Sequence, residues 1–305
     1  QGIAQSRPAE AYPSRTVTLV VPFVAGSATD VEARFYTPRL SEALRQPVLL
    51  DYRPAAATRA GSAYVAKAVP DGYTLLIQTA TFSISGVVGN AYDPVRDFSP
   101  VSMLTDYLNI VSVSNSLPVR TIPELIAHAR ANPGKVNHAT LGMGGSSHIA
   151  GGWLYGLAGV KVTYVPYKGS SEIWTDMMRG ETHVMITGPL GTGPLVKAGK
   201  IRAIAVTSQE RSPYYPGIPT VKETYPPYVY TQWSGILAPA KTPTAIVNRL
   251  NEEFAKVVKA PEVSEKLVSQ ARNILLSTPE YFEKRIGEEV AVLRVLVKDL
   301  DIREE

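Results

Sequence analysis

The side chains that most often carry chemistry are sparse in this sequence. Cysteine is absent, which removes thiol nucleophiles, disulfides and thiolate metal ligands. The four histidines are His128, His138, His148 and His183. None of them forms a recognised metal-ligand motif with another histidine or with a nearby carboxylate. We therefore predict that the protein has no metal site.

Ser147 followed by His148 invites comparison with a nucleophile and its general base. However, adjacent side chains at a helix start point in different directions, and no G-x-S-x-G nucleophile elbow is present. Asp30 lies at a predicted helix start, where an aspartate usually caps the helix. The sequence favours a protein without catalysis. The alternative is an α/β enzyme acting on a small acid, with Asp30 or His148 as acid or base.

A glycine-rich stretch from Gly142 to Ser147 has the position of a dinucleotide-binding loop, between a predicted strand and a predicted helix. Such a loop needs an acidic residue about 20 positions further on to bind the ribose. The first acidic residue after the stretch is Glu172. The segment Gly193 to Lys200 differs from a phosphate-binding P-loop in glycine spacing and in the residue that follows the lysine. We therefore predict no cofactor.

Small and hydroxyl-bearing residues recur where predicted strands end. Val17 to Val21 is a short apolar run typical of a buried strand, and the small-residue segment Phe23 to Thr29 follows it. The segments Thr79 to Ser83, Gly144 to His148 and Pro166 to Ser171 stand in the same relation to their own strands. Parallel strands end at one edge of a sheet, and helix starts there offer free N–H groups to an anion. The pattern predicts a cleft for a small anion.

Strands and helices alternate along most of the chain, as in βαβ units with a mostly parallel sheet. The alternation starts again after a predicted capping box at Thr121 to Glu124. Extended segments near Val111 and Gly235 connect the two α/β units. We therefore predict a two-lobed α/β fold with an interdomain cleft. Residues 1–112 with 235–305 form lobe 1, and residues 113–234 form an inserted lobe 2.

Composition limits the classes of partner. The 305 residues are 45% hydrophobic and 19% charged, which is enough for two sizeable cores. The 31 Lys and Arg residues are scattered among 27 acidic ones, so we expect no nucleic-acid partner. No run approaches the roughly 18 apolar residues of a membrane span. The first residues do not resemble a signal peptide, which we expect to be absent or removed.

Short motifs spread along nearly the whole chain form a recognisable set. They are Tyr12 to Arg15, Val20 to Phe23 with Thr29-Asp30, Arg53-Pro54, Pro70 to Leu76, Tyr92 to Pro94, Ala131 to Lys135, Ser146 to His148, Val165 to Gly169, Ala198 to Lys200 and Ile218 to Thr220. In this order they resemble the substrate-binding proteins of tripartite tricarboxylate transporters, the TctC or Bug family. The resemblance implies a type II periplasmic binding protein fold and a receptor in the periplasm. It also implies capture of a small organic carboxylate and its delivery to the membrane components of a transporter. We expect a monomer.

The resemblance also implies where the ligand is held. Family members bind a ligand carboxylate through the first loop and bridging waters, and a second group of contacts comes from the other lobe. Together with the strand ends, the predicted ligand-binding residues are Phe23, Ala25, Ser27, Thr29, Asp30, Thr79, Thr81, Ser83, Gly144, Ser146, Ser147, His148, Tyr167, Lys168 and Thr187. Candidates for apolar cleft walls are Phe23, Phe82, Tyr167 and Trp233, with core packing as the alternative.

Two departures from the family pattern leave the ligand open. The first loop has Val24 to Ser27 where the family usually has Pro-Gly-Gly, and Ala55 to Gly61 replaces a glycine-rich stretch. The second departure introduces Arg59, either a cation for a second carboxylate or a surface charge. The ligand can be aliphatic or aromatic by these criteria. A ligand-sensing module for a signalling partner would use the same cleft.

Overall fold

The computed structural model of the chain describes residues 12–55, 58–167, 169–270, 272–299 and residue 302. The strands in this part are β1 (Val17–Val21), β2 (Val48–Tyr52), β3 (Thr74–Thr79), β4 (Phe98–Leu108), β5 (Ile110–Val113), β6 (Asn137–Thr140), β7 (Thr163–Pro166), β8 (Val184–Thr187), β9 (Arg202–Val206), β10 (Thr231–Pro239) and β11 (Asn273–Ile274). The helices are α1 (Ala28–Leu44), α2 (Arg59–Ala66), α3 (Thr81–Val88), α4 (Ile122–Ala131), α5 (Ser146–Ala158), α6 (Ser170–Arg179), α7 (Pro189–Lys197), α8 (Thr244–Lys259), α9 (Pro261–Ser269) and α10 (Pro279–Asp299).

The first sheet has the strand order β11-β4-β10-β3-β1-β2. β1 pairs with β2 and β3 in parallel, whereas β10 lies antiparallel between β3 and β4. One face of the sheet packs on α1, α8 and α9, and its core includes Tyr36, Leu40 and Phe254. The other face packs on α3 and α10 around Phe82 and Trp233. The apolar runs of β1 and β3 are therefore buried on both sides, as their composition predicts.

The second sheet has the order β7-β6-β8-β5-β9. β6 pairs in parallel with β7 and β8, and β5 pairs antiparallel with β8 and β9. β5 runs antiparallel to the other four strands of this sheet, as β10 and β11 run antiparallel to the others in the first sheet. The prediction of mostly parallel sheets is confirmed in the sense that most strands of each sheet run in the same direction. Each sheet nevertheless contains antiparallel pairs, because the chain returns through strands that run the other way.

The chain passes between the two sheets at Asn109 and again between β9 and β10. Asn109 donates its backbone N–H to Thr207 Oγ1 over 2.8 Å, and its side-chain amide donates to the Tyr230 carbonyl over 3.1 Å. Thr207 N–H in turn donates to the Asn109 carbonyl. All three residues are buried. The two crossings are thus joined to each other by hydrogen bonds, and we expect this narrow connection to act as a hinge.

Helix α10 contacts both cores. Its first half places Phe282 and Ile286 in the cluster around Trp233, and its second half places Leu293 and Leu296 in the cluster that covers α4 and α5. The sequence predicts that the helical tail returns to the first unit. The structure adds its second attachment, because the apolar stripe of α10 continues past the hinge.

One local prediction needs correction, and the strand pairing bears on the predicted lobe boundaries. The hydroxyl-rich segment after β3 is not a loop, since α3 begins at Thr81. β5 pairs only with strands of the second sheet, so the predicted lobe boundary at residue 112 falls inside a strand of that sheet. In the same way, Thr231 to Ser234 pair with the first sheet, ahead of the predicted boundary at residue 235.

We expect Thr207→Val to lower the free energy of unfolding by about 1–3 kcal/mol, because the buried Asn109 N–H then loses its acceptor. Urea denaturation followed by circular dichroism measures the change. Thr175→Val is the matched control, since the Thr175 hydroxyl bonds only to the Ser171 carbonyl on an exposed part of α6. An equal effect of both substitutions would contradict the role assigned to the hinge.

Candidate functional site

The loops that follow β6 and β8 of the second sheet contact the neighbouring strands β4 and β10 of the first. Ser146, at the start of α5, accepts a hydrogen bond from Gln232 Nε2 on β10 over 2.7 Å. Gly188, which precedes α7, packs against the ring of Tyr107 on β4, where a Cβ would lie 2.9 Å from that ring. β10 pairs with the end of β3 through Ser234 and Thr79. The strand ends of both sheets therefore surround one cleft.

Asp30 organises the first wall of the cleft. Its Oδ2 accepts from the Gly26 N–H over 2.7 Å, and its Oδ1 accepts from Arg34 Nε and from the Tyr52 hydroxyl. Ser27 Oγ in return accepts from the Asp30 N–H, which caps α1. Burial alone would raise the pKa of Asp30, but these hydrogen bonds hold it below its usual range. Both carboxylate oxygens already accept hydrogen bonds, so Asp30 holds the loop in place and is not available as a general base.

The loop held by Asp30 presents small groups and backbone to the solvent. Ala25 is exposed, Phe23 and Ser27 are half-buried, and Thr29 is buried. The N–H groups of Ala28 and Thr29 have no acceptor within the part of the chain that the structure describes. A helix N-terminus with unpaired N–H groups carries partial positive charge and attracts anions.

The second wall is the start of α5, and its own side chains hold the glycine-rich loop before it. The Leu141 N–H donates to Ser147 Oγ over 3.0 Å, and the Gly144 N–H donates to His148 Nδ1 over 2.9 Å. Gly144 has φ +76°, a conformation that L side chains rarely adopt. Burial lowers the pKa of His148, which suits the neutral ring that accepts from Gly144. His148 and Ser147 therefore position the loop, and neither is arranged as a catalytic pair.

A second histidine supports this wall from beneath. His138 is fully buried. Its Nδ1 lies 3.1 Å from the Tyr155 hydroxyl oxygen, and its Nε2 lies 3.2 Å from the Ser147 carbonyl oxygen. Burial lowers the pKa of His138 to about 3, so the ring is neutral at physiological pH. A Cβ at Gly151 would lie 2.8 Å from the ring, so α5 approaches β6 closely at this glycine.

Several predicted contacts are placed elsewhere by the structure. Ser83 is buried and donates to Glu289 on α10, so its hydroxyl does not face the cleft. The Tyr167 hydroxyl is bonded to Asp176 and Thr182 within the second unit. Phe82 and Trp233, considered as cleft walls, are fully buried in the first core. Lys168 lies outside the described residues.

The remaining predicted residues lie at strand ends or helix starts. Thr79, Thr81 and Thr187 are half-buried at the ends of their strands or the start of the next helix, and Gly144 and Ser146 are also half-buried. These positions are compatible with ligand contact, and their role remains a prediction.

Sequence reasoning missed the floor of the cleft, which consists of side chains from β4 and β10. Tyr107, Gln232 and Tyr230 all lie there, and the Tyr230 hydroxyl is 3.1 Å from Ser146 Oγ. Ser234, in register with Thr79, is buried and has no hydrogen-bond partner among the described residues. Alternation of polar side chains along residues 228–234 was a signal, but only the sheet order shows that this segment lies beneath both walls.

A buried ion pair supports the floor. Arg272 Nη2 lies 3.0 Å from Glu32 Oε2, and Glu32 Oε1 accepts from the hydroxyls of Tyr36 and Thr105. Arg272 also lies over the ring of Tyr107 at 5.2 Å. Because each charge is paired, this cluster positions Tyr107 without adding net charge to the cleft.

The described residues offer neither a metal cluster nor a membrane-spanning helix. They contain no group of three or more His, Cys, Asp or Glu side chains that could hold a metal ion. In the same residues, no helix combines the length and apolar character required to cross a membrane.

Comparison with known proteins now decides the family. The model of the TctC family, described as the tripartite tricarboxylate transporter family receptor, matches residues 33–302. The chain belongs to this family. The UPF0065 protein of the tcbD-tcbE intergenic region of Pseudomonas sp. strain P51 is 37% identical over 262 residues, which are 85% of this chain and 78% of that protein.

Solved structures agree with this assignment. A TctC solute-binding protein from Polaromonas superimposes with a TM-score of 0.87 at 25% identity, covering 94% of this chain and 99% of that one. Rpa4515 of R. palustris, solved with adipate, gives 0.75 at 33% identity, covering 96% and 99%. The periplasmic binding protein BugD gives 0.73 at 29% identity, covering 96% and 100%. The chain is therefore a solute-binding receptor of the two-lobed type II fold, not an enzyme.

We expect Asp30→Asn to loosen the first loop and lower the melting temperature at pH 7. Since hydrogen bonds lower the pKa of Asp30 in the folded state, its carboxylate stabilises the fold above the unfolded pKa of about 3.9. This contribution is lost as the pH falls through the folded pKa. Thermal unfolding of both proteins between pH 7 and pH 3 should therefore show a difference that shrinks towards acid. A difference that is constant with pH would contradict this account.

Proposed function

We propose that this protein is a periplasmic receptor that binds a small organic carboxylate in the cleft and delivers it to the membrane components of a tripartite transporter. One observation carries the proposal. The start of α5 contacts β10 through Ser146 and Gln232, and β10 pairs with the end of β3, which is the neighbour of β1 and hence of the loop before α1. The loops before both helices are fixed by their own buried side chains, so we infer that both helix starts open on one cleft. Anionic oxygens are the ligand groups that unpaired N–H groups at a helix start prefer.

The charge of the cleft supports an anionic ligand. Asp30 and Glu32 are buried acidic groups of the first wall and of the floor. Asp30 accepts hydrogen bonds on both of its oxygens, and Glu32 accepts from Tyr36 on one oxygen and pairs with Arg272 on the other. Neither carboxylate therefore needs a cation from the ligand. The adipate in the structure of Rpa4515 supports a dicarboxylate as the first compound to test.

We further propose that each sheet is the centre of one lobe. The strand pairing supports residues 12–108 with 231–299 as lobe 1 and residues 109–230 as lobe 2. The crossings at Asn109 and before Thr231 are then the hinge. Closure of the lobes over a ligand removes water from the cleft, and the lower local dielectric strengthens the contacts between the helix starts and the carboxylate.

The test of carboxylate binding is calorimetry with adipate, succinate and benzoate, and with adipamide as the uncharged match of adipate. We expect saturable binding of at least one carboxylate and none of adipamide, because only the carboxylate carries charge to the helix starts. A ligand at a hundred times its dissociation constant stabilises the fold by about 2.7 kcal/mol, which thermal unfolding detects independently. No binding of any carboxylate, or equal binding of adipamide, would overturn the proposal.

Thr187→Val tests the second wall. The Thr187 hydroxyl lies at the end of β8 next to Gly188, and we expect its loss to weaken binding of the best carboxylate about tenfold, the effect of one lost hydrogen bond to a charged group. Thr163→Val on β7 is the control, because its hydroxyl bonds to the Gly134 carbonyl. Unchanged affinity in Thr187→Val would show that Thr187 does not contact the ligand. The receptor proposal would then depend on the comparison of adipate with adipamide.

Small-angle scattering tests closure. The radius of gyration should fall when the best carboxylate saturates the protein, because two lobes approach each other about the hinge. An unchanged radius at saturation would show that binding occurs without closure.

A further inference from the structure

A cavity of about 330 Å³ lies between α5 and α10, beside the segment that leads into β10. Its walls are mostly apolar and include Ile149 and Trp153 from α5 and Leu293 and Leu296 from α10. The residues of α10 that line it include positions 285, 289, 292 and 296, which form one stripe of the helix. None of the residues predicted to bind the carboxylate lines this cavity.

The charged groups around the cavity compensate one another. Glu289 is buried in its wall, and Oε2 accepts from Ser83 Oγ over 2.9 Å and from Trp233 Nε1 over 3.0 Å. Burial raises the pKa of Glu289, and the positive charge of Arg285 opposes that rise. Glu288 lies at the exposed rim, where its Oε1 is 3.8 Å from Lys284 Nζ. A ligand with a net charge would therefore bring an uncompensated charge against apolar walls, which is unfavourable.

A carboxylate offers only acceptor sites, about four in all, and the two contacts above use only part of them. The group that Glu289 recognises in a ligand is thus a hydrogen-bond donor. The apolar walls and the aromatic side chains of Trp153 and Tyr230 suit a flat or branched hydrocarbon body.

We propose that this cavity is a second binding site, for an uncharged molecule with an apolar body and one hydroxyl or amide N–H donor. The donor bonds to Glu289, and the body lies between α5 and α10. This inference goes beyond the proposed function and does not depend on it. The Tyr230 side chain lines the cavity and also contacts Ser146 in the cleft, so the two sites share one residue.

The test uses 3-phenylpropan-1-ol with its matched acid, 3-phenylpropanoate, and its matched amine, 3-phenylpropylamine. Calorimetry on the whole chain should show saturable binding of the alcohol. Val292→Trp fills the cavity, and we expect it to weaken binding of the alcohol at least tenfold. Val295→Trp is the control, because Val295 lies on the same helix, is 58% exposed and does not line the cavity. The part of the binding that Val292→Trp removes is the binding in the cavity. At that site we expect the acid and the amine to bind at least tenfold more weakly than the alcohol.

Two further measurements distinguish binding in the cavity from binding elsewhere, and loss of binding from misfolding of a variant. Pro227→Trp blocks the cavity from an exposed position and should have the same effect as Val292→Trp. In wild type, nuclear magnetic resonance should show a shift of the Trp153 indole N–H signal on addition of the alcohol, assigned with Trp153→Phe. Binding of the best carboxylate in the cleft should persist in Val292→Trp and Pro227→Trp.

The proposal is overturned if the alcohol does not bind, if neither blocking variant weakens its binding, or if the Trp153 signal does not move. It is also overturned if the acid or the amine binds in the cavity as tightly as the alcohol, cavity binding being the part that the blocking variants remove. These outcomes differ from failure of the receptor proposal, which appears only as loss of carboxylate binding in wild type.

Discussion

The cleft depends on keeping two helix starts free of internal acceptors. An N–H group that is buried without a partner costs free energy, so the loop before each helix must keep its backbone open to the cleft while being held by other bonds. At α1 this is done by Asp30, which bonds to the Gly26 N–H and is itself held by Arg34 and Tyr52. At α5 the same task falls to Ser147 and His148. Different residue types thus meet one requirement at two places.

The order of strands then determines what lies between the two helix starts. Because β10 returns antiparallel between β3 and β4, its side chains and those of β4 form the floor of the cleft. The same strands lead directly into the hinge at Asn109 and Tyr230. On each of these two strands, the floor residue lies two positions from the crossing: Tyr107 precedes Asn109, and Gln232 follows Tyr230. Helix α10 adds a second connection between the cores at Glu289 and Leu293.

The sequence predicts the fold class and family well, because these depend on patterns along the chain. β1 is recognisable from its apolar run before Pro22, and α4 from Thr121, whose hydroxyl caps Glu124 N–H as expected. Helix α3 is missed because Thr81, Ser83 and Ser85 are poor helix formers, and its position is secured by tertiary packing of Phe82.

The walls of the candidate site follow strand ends and can be found in the sequence, although the ligand contacts themselves remain predictions. The floor cannot be found in this way. Tyr107 and Gln232 are 125 residues apart in number and meet only because β10 inserts beside β4. Nothing local in either segment marks them, and the same holds for the partners of Ser83 and Tyr167.

The way Asp30 holds the first loop also bears on how such receptors diversify. Asp30 reaches the loop through the Gly26 N–H, and its other hydrogen bonds are to Ser27, Arg34 and Tyr52. Val24, by contrast, is 63% exposed, and Ala25 is exposed as well. If the first loop binds the ligand as proposed, substitutions at these two positions alter the surface offered to it at little cost to folding. A lineage can explore new solutes there while the scaffold stays constant, and a designer can randomise the same two positions first.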